Sequence, residues 1–182
     1  MTEIADRFRT RADHITELVE AVPDDRWASP SPCEGWTARD VVGHLVGNCA
    51  LFLGFVDREL PPAPSVEEDP IRAWSSSRHA LQAGLDDPAV AGQEFEGFMG
   101  RSTFEAGVGR FLCFDLVVHA WDLARAAGLD ERLDPDAVRD VLAVAETFSD
   151  SARVPGVFGP ALEPPPGADE QIRMLALLGR RA

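Results

Sequence analysis

Apolar residues recur at helical spacing along most of this chain, and this periodicity limits its possible folds more than any other feature. Along residues 2–22 they fall on one face of an α-helix, at Ile4, Phe8, Ala12, Ile15, Leu18, Val19 and Val22. Three more long segments show helical patterns, at about residues 37–58, 70–85 and 103–127. Four long helices in one chain of this size are typical of a helical bundle, so we predict an all-α, four-helix fold.

Capping signals place the ends of these helices and reveal shorter elements between them. Thr37 precedes an acidic residue at the third helical position, Asp40, as is common at a helix start. A proline at the first helical position opens a helix at Pro70, and Gly128 ends the longest one. Two shorter helices are predicted near the end of the chain, at about residues 135–153 and 169–178.

The stretch from residue 86 to residue 103 is rich in glycine and has no helical period. Within it, residues 94–98 alternate between polar and apolar side chains, which predicts a short hairpin. The chain has no internal repeat, no low-complexity tail and no segment that looks like a domain linker. We therefore predict a single domain over residues 1–182.

Charge and composition exclude several classes of partner. The net charge is −14, and no cluster of basic residues offsets it. Nucleic-acid binding needs a basic surface, so we expect no nucleic-acid partner. No apolar stretch approaches the roughly 18 residues of a transmembrane helix, so we expect no membrane partner either. A small-molecule substrate is the remaining partner we predict, for a protein that is a monomer or a homodimer.

The N-terminus and the cysteines bear on the cellular compartment. Residues 1–7 are charged and pass directly into an amphipathic pattern, unlike a secretory signal peptide. Cys33, Cys49 and Cys113 are odd in number and form no CxxC pair, which is typical of free thiols in a reducing environment. Both observations predict a cytoplasmic protein.

Ionisable side chains interrupt two of the apolar helical segments. Asp115 and His119 are four positions apart and share one helix face, and His44 lies in a second apolar run. A lone buried carboxylate costs several kcal/mol unless a positive group lies against it. A divalent metal bound by all three residues would account for both segments. Two imidazoles, one carboxylate and an open position are typical of a catalytic site; they suit zinc but also nickel, iron or manganese.

Each of these residues has a simpler interpretation. A single histidine in an apolar helix is commonly a hydrogen-bonded core residue, and Asp115 with His119 is compatible with an ordinary pair on one helix. Asp122 follows His119 by three positions, so it is placed either to accept the second ring N–H of that histidine or to pair with Arg125. These alternatives stay open at the level of the sequence.

Three further residues lie near these positions along the chain. Asp40 and Asn48 flank His44 by four positions, so either is placed to orient its ring or to be an ordinary polar residue. Cys33 is a candidate fourth ligand or nucleophile, although a small packing residue at a turn is the simpler interpretation because no basic residue adjoins it.

Two segments that contain these residues carry a family resemblance. Residues 31–45, SPCEGWTARDVVGHL, resemble the second-helix signature of the mycothiol-dependent maleylpyruvate isomerase N-terminal domain. Residues 115–125, DLVVHAWDLAR, resemble its fourth-helix signature, and the closing LALLGR is similar to the end of a subfamily of actinobacterial metal-binding proteins. The resemblance implies a DinB-like four-helix bundle. An arginine-rich, lysine-free composition is also typical of a GC-rich genome such as that of an actinobacterium.

The resemblance implies roles for particular residues. By it, His44, Asp115 and His119 are the metal ligands, and the metal binds and activates a low-molecular-weight thiol, mycothiol. The isomerase carries glutamate at the position of Asp115, and it has a second, C-terminal domain for which this chain leaves no room. We therefore expect a related thiol-dependent reaction rather than maleylpyruvate isomerisation itself.

These observations combine into one functional expectation. We expect a cytoplasmic, zinc-dependent enzyme of the DinB-like class that uses mycothiol as cosubstrate, as a transferase or isomerase on a small electrophilic substrate. Asp122 would support the metal ligands. The alternatives are a metal-dependent hydrolase that uses bound hydroxide at the same site and a non-catalytic metal-binding or stress-response protein.

Overall fold

A computed structural model describes residues 2–97, 100–147 and 160–182 of the chain. The chain divides into two compact units, Met1–Asp130 and Glu131–Ala182. This division does not decide whether residues 1–182 form the single domain that we expect, which remains a prediction. No helix in the described ranges is long and apolar enough to cross a membrane.

The first unit is built on four long helices, as the apolar periodicity predicted. They are α1 Glu3–Ala21, α2 Ala38–Gly54, α3 Pro70–Asp86 and α6 Cys113–Ala127. The smaller elements are a 3₁₀ turn Asp24–Arg26, α4 Pro88–Ala91, β1 Glu94–Gly97, β2 Gly100–Thr103, α5 Phe104–Gly107 and a π-helical turn Val108–Leu112. The strands pair antiparallel with Glu94 opposite Thr103, which confirms the predicted hairpin. The fold is an all-α DinB-like bundle with short extra elements.

The four long helices form a ring in which α1 and α2 each pack against both α3 and α6. Contacts between α2 and α6 show that these two helices run antiparallel. His44 Nε2 lies 3.5 Å from Asp115 Oδ2, and the Phe52 ring centroid lies 6.5 Å from that of Phe111. The chain thus advances from His44 to Phe52 on one side of this contact and goes back from Asp115 to Phe111 on the other. Side chains at corresponding levels of the two helices therefore face each other.

Large apolar side chains fill the centre of the ring. Those buried most completely include Phe8, Trp74, Phe104 and Trp121. Each full burial of a large apolar side chain contributes about 1.5–3 kcal/mol to folding. Trp74 also satisfies its indole N–H within the first unit, by donating to the hydroxyl of Thr16 at 3.0 Å.

Two predicted helix ends differ from the structure. Helix α2 was expected to reach about residue 58 but ends at Gly54, since residues 55–57 form a turn in which Asp57 has a φ of 55°. The segment predicted as one helix over 103–127 is instead α5, the π-helical turn and α6 in succession. The periodicity did not reveal this change of winding, because each side of the turn keeps a helical pattern and only the phase of that pattern changes across the inserted residue.

The second unit contains α7 Pro135–Ala145 and α8 Glu170–Leu177, which pack against each other. The carboxylates of Asp134 and Asp169 cap the two helix starts by accepting backbone N–H groups at 2.9 and 2.8 Å. Helix α7 was predicted to continue to about residue 153. Within the described residues it ends at Ala145, and residues 148–159 lie outside them.

Candidate metal centre

The start of α2 determines the position of His44 along the axis of the bundle. Thr37 and Asp40 form a reciprocal capping box there, as the sequence predicted. Asp40 Oδ2 accepts the Thr37 hydroxyl at 2.6 Å and the Thr37 backbone N–H at 2.7 Å. The hydroxyl hydrogen bond, followed by the backbone one, lowers the pKa of Asp40. Asp40 is therefore a helix cap, while the other flanking residue, Asn48, is the one that contacts the His44 ring.

The π-helical turn determines how α6 begins and thus where Asp115 and His119 point. A π-turn adds one residue to a helical turn and is frequent near functional sites. The turn lies close against α1, because a Cβ on Gly109 would come within 3.0 Å of Ile4. Arg11 of α1 donates to the carbonyl oxygen of Cys113 at 2.9 Å. These contacts hold the first turn of α6 against α1.

The three predicted ligands come together between α2 and α6. One potential ligand atom from each of His44, Asp115 and His119 lies within 4.8 Å of the other two. His44 Nε2 is 3.5 Å from Asp115 Oδ2, and the two imidazole centroids are 4.8 Å apart. Ligand atoms bonded to one zinc ion at about 2.0–2.2 Å are roughly 3–4 Å apart. The donor set and its spacing fit a divalent metal.

Hydrogen bonds indicate that Nε2 carries the lone pair in both histidines, and at His44 the Asn48 amide occupies that lone pair. His119 Nδ1 lies 2.9 Å from Asp122 Oδ2 and donates to it, so Nε2 is the nitrogen with a lone pair. The Asn48 amide donates to His44 Nε2 at 3.0 Å and to Asp115 Oδ2 at 2.8 Å. His44 Nε2 is then also an acceptor, which is the form that a metal ligand requires.

The solvent exposure of the ligands differs from the sequence expectation. The side chains of His44 and Asp115 are 30% and 27% exposed, whereas that of His119 is 9% exposed. Asp115 is therefore less desolvated than its apolar neighbours in the sequence predicted, because its carboxylate keeps partial contact with solvent and accepts the Asn48 amide. The exposed side of the cluster also provides an approach for a ligand.

The loop before α2 covers part of the cluster with an aromatic ring. The ring centroid of Trp36 lies 5.0 Å from that of His44 and 6.0 Å from that of His119, and it stacks on the latter. The same loop carries Cys33, whose Sγ donates to Asp122 Oδ2 at 3.3 Å. Cys33, His119 and Asp122 form a second group whose potential ligand atoms lie within 4.8 Å of one another.

Sequence reasoning gave too little weight to Asn48 and Cys33. Asn48 had a detectable signal, since it follows His44 by four positions on the same helix face. Cys33 was a candidate ligand or nucleophile, but nothing in the sequence indicated its contact with Asp122, which lies 89 positions away. The other two cysteines, Cys49 and Cys113, are buried and form no disulfide, and burial raises the pKa of the Cys49 thiol to about 12.

A separate cavity of about 290 Å³ lies away from the histidines, lined by Leu53, Arg58, Glu59, Ala80, Ala83, Gly84, Asp87 and Val90. Its lining contains neither histidine nor cysteine. The cavity and the cluster of potential metal ligands therefore lie in different parts of the protein. We assign the functional site by the chemistry, because ligand atoms rather than empty volume define a metal site.

Sequence comparisons place the chain among known proteins. It matches the mycothiol maleylpyruvate isomerase N-terminal domain family over residues 8–124. The uncharacterized protein Rv0738 of Mycobacterium tuberculosis (strain ATCC 25618 / H37Rv) is 26% identical over 136 residues, which cover 75% of this chain and 74% of the relative. The uncharacterized protein Rv0036c of the same strain is 44% identical over 39 residues, covering 21% of this chain and 15% of the relative. No solved structure matches significantly.

The family match covers more than half of the chain and includes both segments whose signatures the sequence showed. It also contains all four residues of the candidate centre, namely His44, Asp115, His119 and Asp122. The chain therefore belongs to the mycothiol maleylpyruvate isomerase N-terminal domain family.

Proposed function

We propose that this protein is a divalent-metal-dependent enzyme that activates a low-molecular-weight thiol, mycothiol, for transfer to or isomerisation of a small electrophilic substrate. His44, Asp115 and His119 hold the metal, which we take to be zinc, with nickel, iron and manganese as alternatives. The observation that carries the proposal is the convergence of these three side chains from two separate helices to within 4.8 Å. Family membership supports the thiol as cosubstrate.

The charges of the ligand set favour an anion at the open position. Two neutral imidazoles and one carboxylate leave a net charge of +1 on a divalent ion. A bound divalent ion stabilises the thiolate form of a thiol beside it and so lowers the thiol pKa. The partial exposure of His44 and Asp115 leaves a side from which a thiol and a substrate can approach.

The chain's own residues set the geometry of this site. Asp122 holds the Nδ1–H of His119 and so fixes its tautomer and ring orientation. Trp36 covers the two imidazoles and excludes water from that side. Asn48 must give up its hydrogen bond to His44 Nε2 when that lone pair binds a cation, but its bond to Asp115 need not break. We propose a cytoplasmic monomer or homodimer acting on a small molecule.

Elemental analysis of the purified protein beside a His44→Ala variant tests the metal site. Zinc, nickel, iron and manganese are all counted, after purification without chelator and again after loading. The proposal predicts about one ion per chain in the wild type and loss of that ion in the variant. If neither protein takes up a stoichiometric ion while both remain folded, the metal-dependent function is wrong.

Kinetics separates the thiol-dependent reaction from its competitors. Electrophilic small molecules are screened with the metal-loaded protein in the presence and absence of mycothiol. A rate that requires the thiol supports the proposal, whereas turnover by water alone supports the metal-dependent hydrolase. Stoichiometric metal binding with no turnover, in the presence or absence of the thiol, supports a non-catalytic metal-binding protein.

A further inference from the structure

A chain of hydrogen bonds leads from the loop before α2 to the buried histidine of the candidate centre. Cys33 Sγ donates to Asp122 Oδ2 at 3.3 Å, and the same oxygen accepts the Nδ1–H of His119 at 2.9 Å. The side chain of Asp122 is 0% exposed and that of His119 is 9% exposed. A buried carboxylate is costly unless donors satisfy it, so each donor to this oxygen influences where the carboxylate lies.

The loop that carries Cys33 is held in one shape by its own hydrogen bonds. Pro30 forms a β-bridge with Thr37, the N-cap of α2. Ser31 donates its backbone N–H to the Trp36 carbonyl at 2.8 Å, and Trp36 donates its own to the Cys33 carbonyl at 3.0 Å. The Ser31 hydroxyl also accepts the Cys33 backbone N–H at 3.2 Å. The position of the thiol is thereby tied to the capped start of α2.

This loop contacts His119 in two ways at once. Trp36 stacks against the face of the imidazole, with centroids 6.0 Å apart. Cys33 acts at the edge of the ring, through Asp122. The loop therefore restrains both the plane of the ring and the direction of its Nδ1–H.

We propose that Cys33 is a positioning residue of the metal centre, whose S–H holds the Asp122 carboxylate in the orientation that keeps His119 Nε2 directed toward His44 and Asp115. The inference rests on the proposed metal site and adds to it a residue that acts on His119 through Asp122. Removing the donor takes away one of the contacts that orient the carboxylate, so that His119 is held less well. The thiol is a weak donor, so its loss has a smaller effect than the loss of Asp122 itself.

Direct ligation by Cys33 is the competing arrangement, since its Sγ belongs to the second group of potential ligand atoms. That arrangement would use the side of the ring at Nδ1, where His119 now donates to Asp122. Both contacts already have the distances of hydrogen bonds between a donor and a carboxylate. They therefore need no ion to explain them, and positioning is the simpler role.

Three variants test the proposal. Cys33→Ala removes the donor, Cys33→Ser replaces the S–H with an O–H donor, and Cys49→Ala removes a buried thiol that belongs to neither group of potential ligand atoms. Circular dichroism and thermal unfolding establish that each is folded. The dissociation constants for Zn²⁺ and Co²⁺ are measured by chelator competition, and the Co²⁺ absorption spectrum is recorded for each protein.

We expect Cys33→Ala to weaken metal binding roughly three- to tenfold, below the ~10–100-fold typical of losing a residue that directly supports a ligand. Cys33→Ser restores most of the affinity, and Cys49→Ala leaves it unchanged. The Co²⁺ spectrum lacks a sulfur charge-transfer band in every variant. Equal affinity of Cys33→Ala and wild type overturns the proposal. A sulfur charge-transfer band in the wild type that disappears in Cys33→Ser also overturns the proposal, because it identifies Cys33 as a metal ligand.

A second measurement tests the positioning role without metal. NMR of the histidine ring nitrogens reports which nitrogen of His119 carries the proton. We expect one tautomer, protonated at Nδ1, in the wild type and in Cys33→Ser, and a mixture or a shifted signal in Cys33→Ala. An unchanged His119 signal in Cys33→Ala refutes the positioning role of Cys33. Failure of the wild type to bind metal refutes the proposed function instead, so the two failures are distinguishable.

Discussion

The charge of Asp122 provides the most direct quantitative test of the candidate centre. Asp122→Asn keeps the shape of the side chain and an oxygen that can accept the Nδ1–H of His119, but it removes the negative charge. A hydrogen bond to a charged group contributes about 1.5–3 kcal/mol, and one between neutral groups about 0.5–1.5 kcal/mol. The substitution therefore weakens this 2.9 Å bond by about 1–1.5 kcal/mol.

The loss appears mainly in the metal-bound state. The ring N–H becomes a stronger donor when Nε2 shares its lone pair with a cation, so the charge of its acceptor matters most there. Since 1.4 kcal/mol corresponds to a tenfold change in a dissociation constant, we expect the affinity for zinc to fall about five- to tenfold.

Chelator competition at constant pH and ionic strength measures this change. Asp24→Asn is a matched control because it changes the net charge by the same amount at an exposed position in the 3₁₀ turn. If Asp122→Asn binds zinc no more weakly than Asp24→Asn does, the assignment of Asp122 as the partner that supports a metal-binding His119 is refuted.

Two further predictions concern the helix cap and the thiols. Hydrogen bonds from Thr37 lower the pKa of Asp40 below its ordinary value of 3.8. The carboxylate therefore contributes stability above pH 3.8, which is lost as the pH falls through the lowered pKa. Chemical denaturation against pH should show Asp40→Asn less stable than wild type near neutrality, with the difference shrinking in acid; a constant difference would contradict this. Alkylation at pH 8, mapped by mass spectrometry, should modify the partly exposed Cys33 before Cys49, whose pKa of about 12 keeps it protonated, and the reverse order would contradict the burial pattern.

Features that depend on neighbouring residues in the chain were predictable. The apolar spacing of α1, the capping box at Thr37 and the glycine that ends α6 all act within one or two helical turns, so the sequence alone indicated them. The contact between His119 and Asp122 is of the same kind, because residues three positions apart on a helix are neighbours.

Features that depend on distant segments were less accessible. Helical spacing gave no sign of the π-helical turn before α6, and it overstated the burial of Asp115. The amide of Asn48 joins α2 to α6 by contacting residues of both helices, and its second partner depends on how the two helices pack. The thiol of Cys33 reaches Asp122 only because the loop folds over the end of the helix pair.

By itself, the sequence determined the helices, their capped ends and the shared face of Asp115 and His119, because backbone hydrogen bonding and side-chain spacing within a helix are local. The sequence also indicated His44 as a candidate ligand, because it lies in a second apolar run, and the family signatures implied the same role. The tertiary structure alone decided that α2 runs antiparallel to α6 at a register that brings His44 to 3.5 Å from Asp115. It also decided which ligands remain exposed and which polar side chains support them. Those outcomes depend on the packing of whole helices, where many weak contacts between distant residues act together.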